Sequence, residues 1–200
     1  MMRNKNVAYF LKNLEKRCDE KNVKLDLLDR FSVKHDGVYT GGSFGADSKE
    51  KMVLTCCTKR PDWLQLLVHE SCHMDQYLYD EKIWYDKGNS YDQLDAWLHS
   101  KRVRNIDKHI NNVQDLEADC ERRSVKKIQN FSLPIDIKEY TQRANAYIYF
   151  FSYLKHSRRW PNADKAAYCN VAIWNNMPTE FQKSYRKLPL KYFKLFENHL

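Results

Sequence analysis

Apolar residues recur along residues 5–21 at the spacing of one helical face: Val7, Phe10, Leu11, Leu14 and Cys18 lie on one side, with Lys, Asn and Glu between them. That period predicts an amphipathic helix. The pattern then shifts to alternation over residues 23–28, which predicts a strand. A turn-rich patch follows, His35-Asp36-Gly37 and then Gly41-Gly42-Ser43-Phe44-Gly45, and reads as a hairpin or a mobile loop. Residues 51–58 contain Met-Val-Leu-Thr-Cys-Cys, a second strand more apolar than the first.

From Pro61, placed as a first helical residue, a helix is expected to about Tyr79, with Trp63, Leu64, Leu67 and Val68 as its apolar content. Lys87-Gly88-Asn89-Ser90 reads as a break. Ser90 with Gln93 makes a capping box for a helix reaching about His99. A long helix covers roughly residues 107–130 and stops at Pro134. Asp136 with Glu139 caps the next, which runs through Tyr147-Ile148-Tyr149-Phe150-Phe151. Beyond Pro161 the chain reads as short helices separated by Pro178 and Pro189.

A helix, a few strands and then helices predict an α+β fold. It should be mostly helical, with a small, mainly antiparallel sheet. The 200 residues suit a single domain. Residues 1–130 would form its catalytic core, and residues 131–200 a helical C-terminal part packed on that core.

Composition supports this reading. Hydrophobic residues make up 42%, with 13 Tyr, 9 Phe and 5 Trp, enough for a packed core. Only 5 Gly and 5 Pro are present, which argues against a turn-rich all-β sandwich. No apolar stretch approaches the length of a membrane span, and Lys12 and Asn13 interrupt the run after the basic N-terminus, so no signal peptide is expected. The chain should stay where it is made, in the cytoplasm, or in the host cytoplasm if it is viral. The six cysteines, Cys18, Cys56, Cys57, Cys72, Cys120 and Cys169, form no CxxC pair and read as reduced thiols. The formal charge of +8 favours acidic partners, but the excess is not strongly clustered, and a solvated basic surface explains it as well.

The chemistry concentrates in His69-Glu70-Ser71-Cys72-His73. Histidines four apart on a helix stand one turn apart on one face, where both can bind one metal ion. Glu70 is offset around the helix, able to reach a water on that metal without being a ligand. Zinc lowers the pKa of such a water to about 7, so a carboxylate can take its proton at neutral pH. The plain alternative is a helix that happens to carry two histidines.

A catalytic zinc takes three protein ligands and leaves a position open. The third is sought in Asp115-Leu116-Glu117-Ala118-Asp119-Cys120-Glu121-Arg122-Arg123 on the long helix. Two pairs there are spaced i,i+4: Glu117 with Glu121, and Asp115 with Asp119. In either, one carboxylate could bind metal while the other holds a histidine ring by its second nitrogen. Glu117 is favoured as ligand and Glu121 as the ring-holder, because Glu117, Glu121, Ser124 and Ile128 make one stripe and Glu reaches farther than Asp. The Asp115–Asp119 phasing stays open. So does a solvated acidic turn paired with Arg122 and Arg123. A closed site of His69, His73 and Cys120 is a further option, and it leaves Glu70 without a role.

HExxH on one helix, followed by a Glu and then an acidic residue four positions on in a later helix, resembles the gluzincin metallopeptidases. The resemblance runs from about Met52 to about Ser124. It implies zinc held by His69, His73 and Glu117, with Glu70 as general base and a peptide or protein as substrate. It also implies that residues 52–57 form a sheet edge pairing with extended substrate, with a buried strand as the alternative, and that the Gly41-Gly42 region moves over the cleft. Glu121 stands where many gluzincins have Asp. Positions 74–79, Met-Asp-Gln-Tyr-Leu-Tyr, lack the third histidine of the metzincin pattern. In length and in its Lys and Asn content the chain also resembles metallopeptidase-like proteins of tailed phages.

A developing oxyanion needs a donor, and Tyr140, Arg143, Tyr147, Tyr149 and His156 are the candidates. The competing function is a nucleic-acid-associated basic protein with a structural or inactive zinc site. Its support is Tyr185-Arg186-Lys187 and Lys191-Tyr192-Phe193-Lys194, a segment that also reads as an ordinary amphipathic helix. A peptidase acting on DNA-bound proteins would merge the two.

Overall fold

The computed structural model describes residues 4–35, 38–48, 51–161 and 166–200. The chain divides into two compact units: Met1–Tyr79 with Arg123–Ile135, and Asp80–Arg122 with Asp136–Leu200. The fold is mostly helical α+β, as the sequence predicts.

The first unit opens with α1 (Lys5–Glu20), capped by the Asn4 side chain, which accepts from the amides of Asn6 and Val7. The predicted apolar stripe buries Phe10, Leu14 and Cys18. Each large side chain there contributes roughly 1.5–3 kcal/mol by leaving water. Phe10 meets Phe131 edge-on, with ring centroids 5.3 Å apart.

Five strands follow: β1 (Val23–Leu28), β2 (Val33–His35), β3 (Val38–Thr40), β4 (Gly42–Ser48) and β5 (Lys51–Cys57). β2 and β3 form a two-stranded antiparallel pair. Asp36 and Gly37 of the expected turn lie outside the described residues. The main sheet is ordered β1-β5-β4. It is mixed, where a mainly antiparallel one was expected: β5 runs parallel to β1, with Val23 opposite Met52, and antiparallel to β4, with Phe44 opposite Leu54.

One expectation is corrected here. Residues 52–57 are not the sheet edge but its centre, with Met52, Leu54, Cys56 and Cys57 all buried. The most apolar strand takes the position paired on both sides, and the edges fall to β1 and β4. Of the hairpin and the mobile loop expected for the glycine-rich patch, the hairpin holds: the stretch from Gly42 is the edge strand β4, paired antiparallel with β5. Gly42 belongs there for steric reasons, since a Cβ would stand 2.8 Å from the Thr55 carbonyl oxygen.

α2 (Trp63–Tyr79) packs on β4 and β5. It begins two residues after Pro61, because Arg60 grips Asp62 through two 2.8 Å bonds and the Trp63 amide reaches back to the Arg60 carbonyl, closing a turn first. The back of α2 is tied by charge. Lys127 donates to Ser71 Oγ at 2.7 Å and to Asp75 Oδ2 at 2.8 Å, and Arg17 pairs with the same Asp75.

The second unit holds α3 (Glu81–Leu98), most of α4 (Ile106–Asn130), α5 (Ile137–Ser157), α6 (Val171–Trp174) and α7 (Leu190–His199). α3 runs unbroken through Lys87-Gly88-Asn89-Ser90, and its N-cap is Asp80, not Ser90. Ser90 is buried and bonds Asn112 and His109 instead. A helical glycine costs about 1 kcal/mol, which the packing of Leu94 and its neighbours outweighs. Asp136 caps α5 as predicted, accepting from Lys138 and Glu139. The core gathers Ile110, Val113, Ile148, Phe150, Phe151, Leu154 and Phe196.

The segment before α7 has little regular structure, so its carbonyls need other partners. Buried amides supply them. Gln142 donates to Asn175 and Met177, Asn145 to Pro178 and Glu180, and Gln114 to Tyr185. Among the described residues no helix is long and apolar enough to cross a membrane.

Candidate metal centre

His69 and His73 lie on α2, each half-buried. Their Nε2 atoms stand 3.1 Å apart, with the rings nearly perpendicular at 88°. His73 Nδ1 lies 2.8 Å from Gln76 Oε1. A carbonyl oxygen can only accept, so this pairing calls for a proton on Nδ1, which in a neutral ring leaves the lone pair on Nε2. That lone pair faces His69. Two nitrogens 2.0–2.1 Å from one tetrahedral zinc would be about 3.4 Å apart. The observed separation is close to what one ion between the rings requires.

Glu70 is buried on the same helix. Its Oε2 accepts the Phe44 amide of β4 at 2.9 Å, so the edge strand fixes the carboxylate. Burial, and after it the nearby Glu70 carboxylate, push the Cys56 thiol up to about 12. Burial also pushes Cys18 up to about 11. Cys56, Cys57 and Cys72 are buried core residues.

On α4, the stripe predicted from spacing is buried throughout: Glu117 is 2% exposed and Glu121 6%, with Ser124 and Ile128 buried beside them in sequence. A buried carboxylate is costly without donors. Tyr91 donates to Glu117 Oε1 through a short hydrogen bond, and Tyr140 donates to Glu121 Oε2 at 2.5 Å. Burial, with the Glu117 charge after it, raises the Tyr91 pKa well above the usual phenol value, so the hydroxyl stays a donor at neutral pH.

The other acidic phasing is spent differently. Asp115 is paired with Lys87 at 2.7 Å and with Arg186 at 3.0 Å. Asp119 is half-exposed. Among the described residues, each unit carries side chains of the kinds that could hold a metal ion: His69 and His73 in the first, and Glu117, Cys120 and Glu121 in the second.

Of the expected oxyanion donors, Tyr140 is bonded to Glu121. Arg143 pairs with Glu139 and stacks on Trp174. Tyr147 and Tyr149 pack in aromatic clusters, and His156 lies against Tyr153 and Phe193. Tyr185 and Tyr192 of the basic-aromatic segment are buried, which leaves the cations Arg186, Lys187, Lys191 and Lys194 as its exposed face.

Sequence reasoning missed Gln76 and Tyr91. Gln76 could have been found as the polar residue three positions after His73, on the same helical face. Tyr91 carries no such local signal. No family model, curated protein or solved structure matches the chain.

Proposed function

We propose that the protein is a zinc-dependent peptidase-type hydrolase. His69, His73 and Glu117 hold the metal, and Glu70 is the general base. The observation that carries this reading is the pair of Nε2 atoms 3.1 Å apart, one with its lone pair fixed by Gln76. Buried Glu117 and Glu121 supply the negative charge such an ion requires.

Bound there, zinc would polarise the scissile carbonyl and lower the pKa of the attacking water to about 7. Glu70 takes the proton of that water and passes it to the leaving amine. The Phe44 amide, which donates to Glu70 Oε2 at 2.9 Å, holds the carboxylate in one orientation while it does so. Of the five candidates for stabilising developing negative charge we favour Tyr140, because its hydroxyl donates to Glu121. Peptide is the substrate class that the resemblance to gluzincins implies.

Elemental analysis of untagged protein should find about one zinc per chain. Glu70→Gln should keep that zinc and lower peptide hydrolysis by about 10²–10⁴-fold. Undiminished activity in Glu70→Gln would remove the mechanism. Folded wild type without metal would remove the site.

A further inference from the structure

We infer that Gln76 is a positioning residue: it fixes His73 in the tautomer protonated on Nδ1, so that Nε2 is the donor atom offered to a metal. The inference rests on the proposed metal centre for its consequence, but its structural half can be tested without metal.

Gln76 is fully buried on α2, three residues after His73. That spacing puts both side chains on one helical face. Its Oε1 lies 2.8 Å from His73 Nδ1, while His73 Nε2 points at His69 Nε2. A buried amide is expensive to hold unless it is hydrogen-bonded, so its placement against the ring serves a purpose beyond filling space. A neutral imidazole has two tautomers of similar energy, and only one leaves the lone pair on Nε2. An acceptor on Nδ1 selects that tautomer and stops the ring from turning about its χ2 axis. Gln76 does so without charge. A carboxylate in the same place would add a second buried acid to α2, which already holds Glu70. The amide sets orientation and leaves the charge balance of the site to its acidic residues.

The test uses the full chain. Nitrogen-15 NMR of the metal-free protein at about pH 8, where an ordinary imidazole is neutral, reports which nitrogen of His73 carries hydrogen. Zinc affinity is measured in parallel by competition with a chromophoric chelator. Wild type should show the Nδ1–H form. Gln76→Met should show both tautomers and bind zinc about 10–100-fold more weakly. Gln76→Glu, which keeps an acceptor, should restore the tautomer and most of the affinity.

An Nε2–H tautomer in the wild type overturns the inference, as does a Gln76→Met affinity within about twofold of wild type. If Gln76→Met fails to fold, the wild-type spectrum and Gln76→Glu decide. Wild type that binds no zinc would sink the metal-centre reading, and the spectrum alone would then support or overturn the role of Gln76.

Discussion

His69 and His73 on α2 share their spacing with Glu117 and Glu121 on α4, yet the two pairs are held in opposite ways. The imidazoles face each other at 3.1 Å, which neutral rings can do by sharing one proton. The carboxylates are more deeply buried, and each has its own phenol donor from a different helix, Tyr91 on α3 and Tyr140 on α5. Like charges on one helix face repel and cannot share a proton when both are ionised. The histidine pair turns its ring nitrogens toward one another, whereas each glutamate turns an oxygen toward a phenol hydroxyl.

The largest effect should come from breaking the histidine pair. His73→Ala removes one nitrogen donor, and zinc should fall from about one per chain to a trace. Metal retained at the wild-type level would make the convergence of the rings incidental. Glu117→Ala should come next, weakening zinc retention strongly but leaving the two imidazoles to bind it loosely. Dialysis against graded chelator ranks the two variants. Equal retention in Glu117→Ala and wild type would move the third ligand elsewhere on α4.

Much of this comparison was legible in the sequence because it depends on local period. The helix face from Val7 to Cys18, the HExxH spacing and the stripe Glu117, Glu121, Ser124, Ile128 each follow from 3.6 residues per turn. What could not be read depends on residues distant in sequence. That β5 is central follows from pairing with β1 on one side and β4 on the other, and parallel pairing leaves no turn signal between neighbours. Gly42 reads as a loop residue until the Thr55 carbonyl is seen close to its Cα. Gly88 reads as a break because propensity is local, whereas the packing that keeps α3 whole is not. Tyr91 reaches Glu117 from 26 residues away.

A smaller effect tests the glutamate half without metal. Tyr140→Phe deletes the hydroxyl that donates to Glu121 and leaves the ring in place. A hydrogen bond to a buried charged group is worth about 1.5–3 kcal/mol, so urea unfolding of the metal-free variant should show a loss of that order. With zinc bound the loss should shrink, because the ion then balances the carboxylate. No loss in the metal-free protein would mean that Glu121 is not held as an anion, and the contrast between the two pairs would narrow to a difference in burial.

The smallest expected effect separates the two phasings of α4. Asp115 stands two residues before Glu117, about 200° away around the helix, so the two side chains cannot serve one site equally. Its carboxylate is about one-third exposed and answers Lys87 and Arg186, whose own exposure is 25% and 60%. Ion pairs of this kind contribute about 0–1 kcal/mol. Asp115→Ala should thus change stability by less than about 1 kcal/mol, with zinc content unaltered. Loss of zinc in Asp115→Ala, with zinc kept in Glu117→Ala, would reassign the third ligand to the exposed phasing. The burial of Glu117 would then need a purely structural cause, and Tyr91 would be its partner rather than the metal's.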